Sequence, residues 1–521
     1  VKLDRSKYLE SRSLKPFTLF LAIVAVNVLL GIIALAFPTN GVSIGKNFKL
    51  KFTSISELFE TPKVEPSANI NEILSGVDVK ESLPSEVVAF SGGQDSIVKK
   101  IKAEIRSSAN YDSTTKKLTP PKPRSIQLPP NNPNALKMLI SALKNESKEK
   151  VVRIIHYGDS QLEGDRITDY LRNRLQQLFG GNGPGIVLPL EPAANSRRSV
   201  FVSQSNNFVK KAIYVKGQKA PNNEYGIGAA TFLINGSHSS FVKMAEPSNE
   251  KEQDGDGQKA EFTKSAQSVA YISIKNGTSA YPLAKTYSNI RLLYQSQTPF
   301  KVKLQSDDSV IEDILREAPS YAAKSWNLNT ERKLKIDFVA GEFPKIFGLA
   351  LDGNTGVAVD NFAMRGSSAV GFDDLSKPLY QKQLKDLNVR CIIFQYGINV
   401  IPNVRSDYSY YKKILSTQLK SVISAYPGVS IIVVGPSDMS KNQNGSMVSY
   451  SNIPLINKAM KEAAFENGCA FWDLYEAMGD KNAMVEWQNN GLARKDYTHF
   501  SYKGAKYVGE MLFEAILEQL Q

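Results

Sequence analysis

Cysteine is nearly missing: Cys391 and Cys469 are the only two in 521 residues, too few for a disulfide framework, so folded parts must be held by packed cores. Histidine is as scarce, at three: His156, His238 and His499. No zinc-finger, RRM or KH pattern gathers the scattered basic residues. The net charge of +13, from 64 Lys and Arg against 51 Asp and Glu, therefore does not point to nucleic acid and suits an acidic glycan or lipid surface better. Hydrophobic residues at 42% and charged residues at 22% exclude a largely disordered, collagenous or multi-span membrane chain. At roughly 100 to 200 residues per domain, the length implies two or three domains and connecting material.

Long apolar runs are absent except for one. Residues 17–37, FTLFLAIVAVNVLLGIIALAF, carry no charge, and at ~1.5 Å per residue such a helix spans about one hydrocarbon thickness. Lys2, Arg5, Lys7, Arg12 and Lys15 precede it against Asp4 and Glu10, which places residues 1–16 in the cytoplasm and the chain after Pro38 in the periplasm or extracellular space. Ala34-Leu35-Ala36 has the form of a signal-peptide cleavage site. The apolar stretch exceeds the usual ~7 to 15 residues, so an uncleaved single-pass anchor is expected. Residues 38–133 read as a stalk, with isoleucines four apart in Ile97–Ile105 as on a helix face, and a stiff Pro-rich linker, Leu118–Pro133, at its end. A short amphipathic helix is expected from Asn134 to Lys144.

Beyond it, apolar strands alternate with helical segments: Val151–Tyr157, Val357–Phe362, Arg390–Tyr396, Val429–Gly435 and Cys469–Trp472. This pattern predicts a five-stranded parallel sheet in an α/β domain, with the ligand crevice at the strands' carboxyl ends. Gly158-Asp159-Ser160 follows the first strand and precedes a helix, a place where a serine hydroxyl stands clear and backbone N–H groups converge. The same Ser also fits a plain helix N-cap. Asp496-Tyr497-Thr498-His499 stands before the terminal helix Ser501–Leu520; a carboxylate on one imidazole nitrogen leaves the other to take a serine proton. Gly366 and Gly397-Ile398-Asn399 follow two other strands, where a glycine N–H and an asparagine amide can act as oxyanion donors. His156 reads as a packed structural histidine on a buried strand, and Cys391 and Cys469 as free and buried. Asp254 and Asp256 form only an incomplete calcium-loop pattern, and Tyr321 and Trp326 fit a sugar platform or core packing equally well.

These four blocks, Gly158 to Ser160, Gly366, Gly397 to Asn399 and Asp496 to His499, stand in the order found in the SGNH (GDSL-type) hydrolases, which the chain resembles. The resemblance implies Ser160 as nucleophile, His499 as general base, Asp496 as its orienter, and an oxyanion hole from the Ser160 and Gly366 N–H groups with the Asn399 amide. It also implies a flavodoxin-like three-layer fold with strand order 2-1-3-4-5 and no cofactor. Gln161 and Val400 replace a usual leucine and a frequent acid, at positions without a catalytic role in the family.

Ser160 and Gly366 are 206 positions apart, where the fold needs roughly 40 to 60. Short strands such as Phe201–Val215, Ala229–Ile234, Ala270–Ile274, Asn289–Tyr294 and Lys333–Val339 predict an inserted β-sandwich. The layout resembles peptidoglycan O-acetylesterases carrying a carbohydrate-binding-module-like insert. The expected organisation is a hydrolase domain from residues 134–190 and 350–521, with the insert at 191–349. The expected activity is that of a membrane-anchored serine esterase taking O-acetyl or small acyl groups from a cell-wall or envelope polysaccharide, peptidoglycan foremost. The alternatives are an O-acyltransferase using the same triad and a non-catalytic glycan-binding protein.

Overall fold

A computed structural model of the chain describes residues 24–25, 42–43, 49–50, 124–191, 197–235, 268–307, 309–330, 333–339 and 343–520. The expected anchor at 17–37 lies outside these residues except Val24 and Ala25, which are helical; no helix among the described residues is long and apolar enough to cross a membrane. Ile97–Ile105, His238, Asp254 and Asp256 also lie outside them. Two compact units are distinguished. In the first, residues 1–64 with Asn442–Met447, Val42–Ser43 pairs antiparallel with Lys49–Leu50. All that follows concerns the second, Glu65–Lys441 with Val448–Gln521.

Its centre is a parallel sheet of β1 (Val151–Gly158), β2 (Gly356–Ala363), β3 (Val389–Gln395), β4 (Ser430–Val434) and β5 (Ala470–Trp472). The spatial order is β2-β1-β3-β4-β5, the expected 2-1-3-4-5. Because side chains alternate along a strand, one face presents Val152, Ile154, Val359, Ile393 and Val434. Against it pack Leu171 and Leu175 of α1 (Thr168–Phe179) and Val508, Leu512 and Phe513 of a last helix, Tyr502–Glu518. The other face presents Ile155, Tyr157, Ile392, Phe394 and Val433. It is covered by α2 (Lys377–Asp386), α3 (Ser409–Ala425) and α4 (Ile453–Glu466) through residues such as Leu384, Leu419 and Met460. The last helix is α5. Each aliphatic side chain fully buried here contributes roughly 1.5 to 3 kcal/mol of transfer free energy.

Between β1 and β2 the chain builds two antiparallel sheets. One has five strands, with Phe300–Gln305 and Lys333–Val339 central to it; the other has six, in which Tyr287–Ser296 lies between Ala318–Thr330 and Lys345–Asp352. They meet at contacts such as Phe208 on Phe338, ring centroids 6.3 Å apart. Their core runs on into the α2–α4 side of the parallel sheet. Lys345–Asp352 also pairs antiparallel with Gly185–Val187, which follows α1 in the chain.

The end of the linker differs from expectation. Residues 124–133 do not run free: Gln127 exchanges backbone hydrogen bonds with Phe471 of β5, 2.7 and 2.9 Å, Arg124 O accepts from Trp472 Nε1, and Ile126 is buried. Extended proline-rich backbone is well shaped to cap an exposed sheet edge. Tyr321 and Trp326 are buried, so packing claims them both.

Candidate active site

Register sets the site. Gly158, the last residue of β1, pairs with Ala363 of β2 and Gln395 of β3, so three loops leave the sheet side by side. They carry Ser160, Gly366 and Asn399 respectively. Met364 N–H donates to Gly158 O at 2.7 Å, Asp159 N–H to Gln395 O at 3.2 Å, and Asn399 Nδ2 to Ser367 O at 2.9 Å, lacing the loops together. Gly158 has no room for a side chain, since a Cβ there would lie 2.6 Å from Leu162 Cδ1 and 2.7 Å from Gln395 O. Gly366 has φ +79°, a conformation that favours glycine, and is exposed, as is Asn399. The Asn399 amide keeps a second N–H beyond the one given to Ser367.

Asp159 caps the 3-10 turn Ser160–Asp165, accepting from Gln161 N–H at 3.0 Å. Burial pushes its carboxyl up to about 7, against the backbone donors Gln161 and Ile398 and the charge of Arg166, which pull it down. Ser160 itself is 9% exposed, and its Oγ lies 2.8 Å from His499 Nε2.

The other half of the site is a tight loop before α5. Asp496 Oδ1 accepts from Thr498 N–H at 3.0 Å and His499 N–H at 2.9 Å, while Oδ2 lies 2.9 Å from His499 Nδ1. Tyr497, at φ +51°, gives the turn its sharpness. Partial burial raises the Asp496 carboxyl, but the donors from His499 and Thr498 outweigh it and hold the group below its ordinary 3.8. An ionised carboxylate only accepts, so Nδ1 carries the ring proton and Nε2 is left to accept from Ser160. A hydroxyl, an imidazole and a carboxylate in this line can carry out nucleophilic acyl transfer.

The chain matches no protein-family model and no curated protein. Among solved structures, a peptidoglycan O-acetylesterase aligns with a TM-score of 0.54 at 18% identity, over 74% of this chain and 95% of that one. The two chains share a fold. A family-two carbohydrate esterase from Clostridium thermocellum (TM-score 0.23, 11% identity, 49% of this chain, 94% of that one) aligns too loosely to bear on the fold. So does an acetyl xylan esterase (TM-score 0.24, 12% identity, 31% and 81%).

Within this fold, His156 stays apart from the chemistry. Its Nε2 lies 3.0 Å from Gln395 Oε1 and its Nδ1 3.0 Å from Thr168 Oγ1, and burial drives its pKa down to about 3, which keeps it neutral. Cys391 and Cys469 are free and buried. Among the described residues no group of three or more His, Cys, Asp or Glu is arranged to hold a metal ion. Sequence reasoning passed over three side chains at the site. Arg365 grips Glu163 with Nε and, at 2.6 Å, Nη2, joining the Gly366 loop to the turn after Ser160. Gln161 and Arg166 reach from that turn to the His499 loop. A polar residue in place of a leucine was the one available signal, and it concerned Gln161 alone.

Proposed function

We propose that the chain is a membrane-anchored, outward-facing serine esterase that removes O-acetyl or other small acyl groups from a cell-wall or envelope polysaccharide, peptidoglycan foremost. One observation carries the reading: the 2.8 and 2.9 Å hydrogen bonds that join Ser160, His499 and Asp496 in a line. His499 Nε2 takes the Ser160 proton as Oγ attacks the ester carbonyl carbon. The oxyanion lies against the N–H groups of Ser160 and Gly366 and the amide of Asn399. Collapse expels the sugar oxygen, which receives the proton from His499. Water, deprotonated by the same imidazole, then attacks the acyl-enzyme, releasing the carboxylic acid and restoring Ser160.

The choice of a glycan ester draws on the likeness to a peptidoglycan O-acetylesterase, and the net charge of +13 suits an acidic polymer. The anchor draws on the uncharged run at 17–37, and residues 191–349 are read as an inserted glycan-binding module. The test uses the full chain and its Ser160→Ala variant on an aryl acetate and on O-acetylated peptidoglycan. The parent releases acetate from both and the variant from neither; equal rates end the esterase reading.

A further inference from the structure

Gln161 follows the nucleophile, is 3% exposed, and sends its whole amide across the site. Nε2 donates to Thr498 O at 2.8 Å and to Ser437 Oγ at 3.1 Å, and Oε1 accepts from Phe500 N–H at 3.4 Å. Thr498 and Phe500 flank His499, so one side chain holds the peptide groups before and after the imidazole. Arg166, 4% exposed, works beside it: Nη2 donates to Ser160 O at 2.7 Å, Nη1 to Phe500 O at 3.1 Å and Nε to Glu163 O at 2.7 Å. It grips the carbonyl of the nucleophile and that of the residue after the base.

We propose that Gln161 and Arg166 form a clasp, two positioning residues that set the distance from Ser160 Oγ to His499 Nε2 for acyl transfer; the proposal rests on the esterase reading above. Asp496 orients the imidazole only within its own loop. Ser440 N–H to Tyr497 O at 3.0 Å holds that loop to the chain after β4, and Arg494 N–H to His499 O at 2.8 Å holds it to itself. Registration against the nucleophile turn falls to the clasp. Proton transfer needs a separation of about 2.6 to 3.2 Å, a window a loosened loop leaves.

Kinetics on an aryl acetate, labelling of Ser160 by a fluorophosphonate and thermal melting, all on the full chain, test this. Gln161→Leu keeps the volume and loses every side-chain hydrogen bond. It should lower kcat and the labelling rate together, by about 10- to 100-fold, with KM changed less than about threefold, as a loosened catalytic geometry predicts. Arg166→Lys keeps the charge and part of the grip, so it should retain more activity than Arg166→Met. If the leucine variant fails to fold, Gln161→Glu, which keeps the acceptor and loses the donor, should show the same paired fall. Parent-like kcat and labelling in folded Gln161 and Arg166→Met variants, or a change confined to KM, overturns the clasp. Ser160→Ala run alongside separates the two claims: if it is inactive while the clasp variants match the parent, only the clasp falls, and if it is active, both fall.

Discussion

His499 Nε2 stands 2.8 Å from Ser160 Oγ across 339 positions of sequence. The approach follows from the layers. Ser160 follows the carboxyl end of β1, an inner strand of the sheet, and α1 then descends one face. The last helix, α5, packs on that same face, sharing a core with α1 and placing Phe513 under the Arg174 guanidinium at 4.9 Å. The loop that opens α5 is thereby delivered to the top of β1.

Asp496→Asn should lower kcat by about 10²- to 10⁴-fold with little change in KM, because an amide facing Nδ1 favours the wrong tautomer. Steady-state hydrolysis of an aryl acetate measures it. A loss below threefold would remove Asp496 from the machinery.

Asn399→Ala should lower kcat by about 10²- to 10³-fold, or ~2.7 to 4 kcal/mol, if its second amide N–H serves the oxyanion. The same substitution frees Ser367 O. An unchanged kcat with a lower melting temperature would leave only that structural bond.

Gly158→Ala forces a methyl against Gln395 O, a backbone atom that cannot swing aside. A cost of about 1 to 3 kcal/mol in urea unfolding is expected, as for other overpacked sites. Activity should fall too, because three loops share that register.

Asp159 should make stability depend on pH. Its carboxyl is raised from 3.8 to about 7, so between these values the folded chain holds a proton that the unfolded chain has released. Stability from this group therefore declines as pH rises through that window and levels off above it. Asp159→Asn cannot ionise. The stability of the variant relative to the parent should grow from pH 5 to about 8 in urea titrations, and a constant difference would contradict the assignment.

Arg153 of β1 lies buried between Asp352 and Asp360, the latter at 2.7 Å, and Asp360 also takes Ile186 N–H at 2.8 Å. This ties the parallel sheet to the antiparallel ones. Arg153→Met leaves two buried carboxylates without their cation and should cost about 3 to 5 kcal/mol in equilibrium unfolding.

Much of the parallel sheet could be read from the chain, because each of its strands is a compact apolar run and both faces are covered. The antiparallel sheets were harder to see. Phe300–Gln305, with its alternating lysines, and Val310–Leu315, a strand exposed at Val310 and Ile314, were missed because a half-solvated strand carries as much polar as apolar signal. Gln161 was missed for another reason: its role lies in what its amide touches, and those partners sit more than 270 positions away.

What adjacency encodes was settled by composition and order: the turn glycines, the strand-ending Ser160 and Asn399, and an Asp496 and His499 close enough in sequence to bond within one loop. Distances between remote positions were decided only by packing. The separation of Ser160 from His499, the clasp at Gln161 and Arg166, and the seating of residues 124–133 on β5 each depend on how every intervening side chain fills the layers. No local pattern contains that sum.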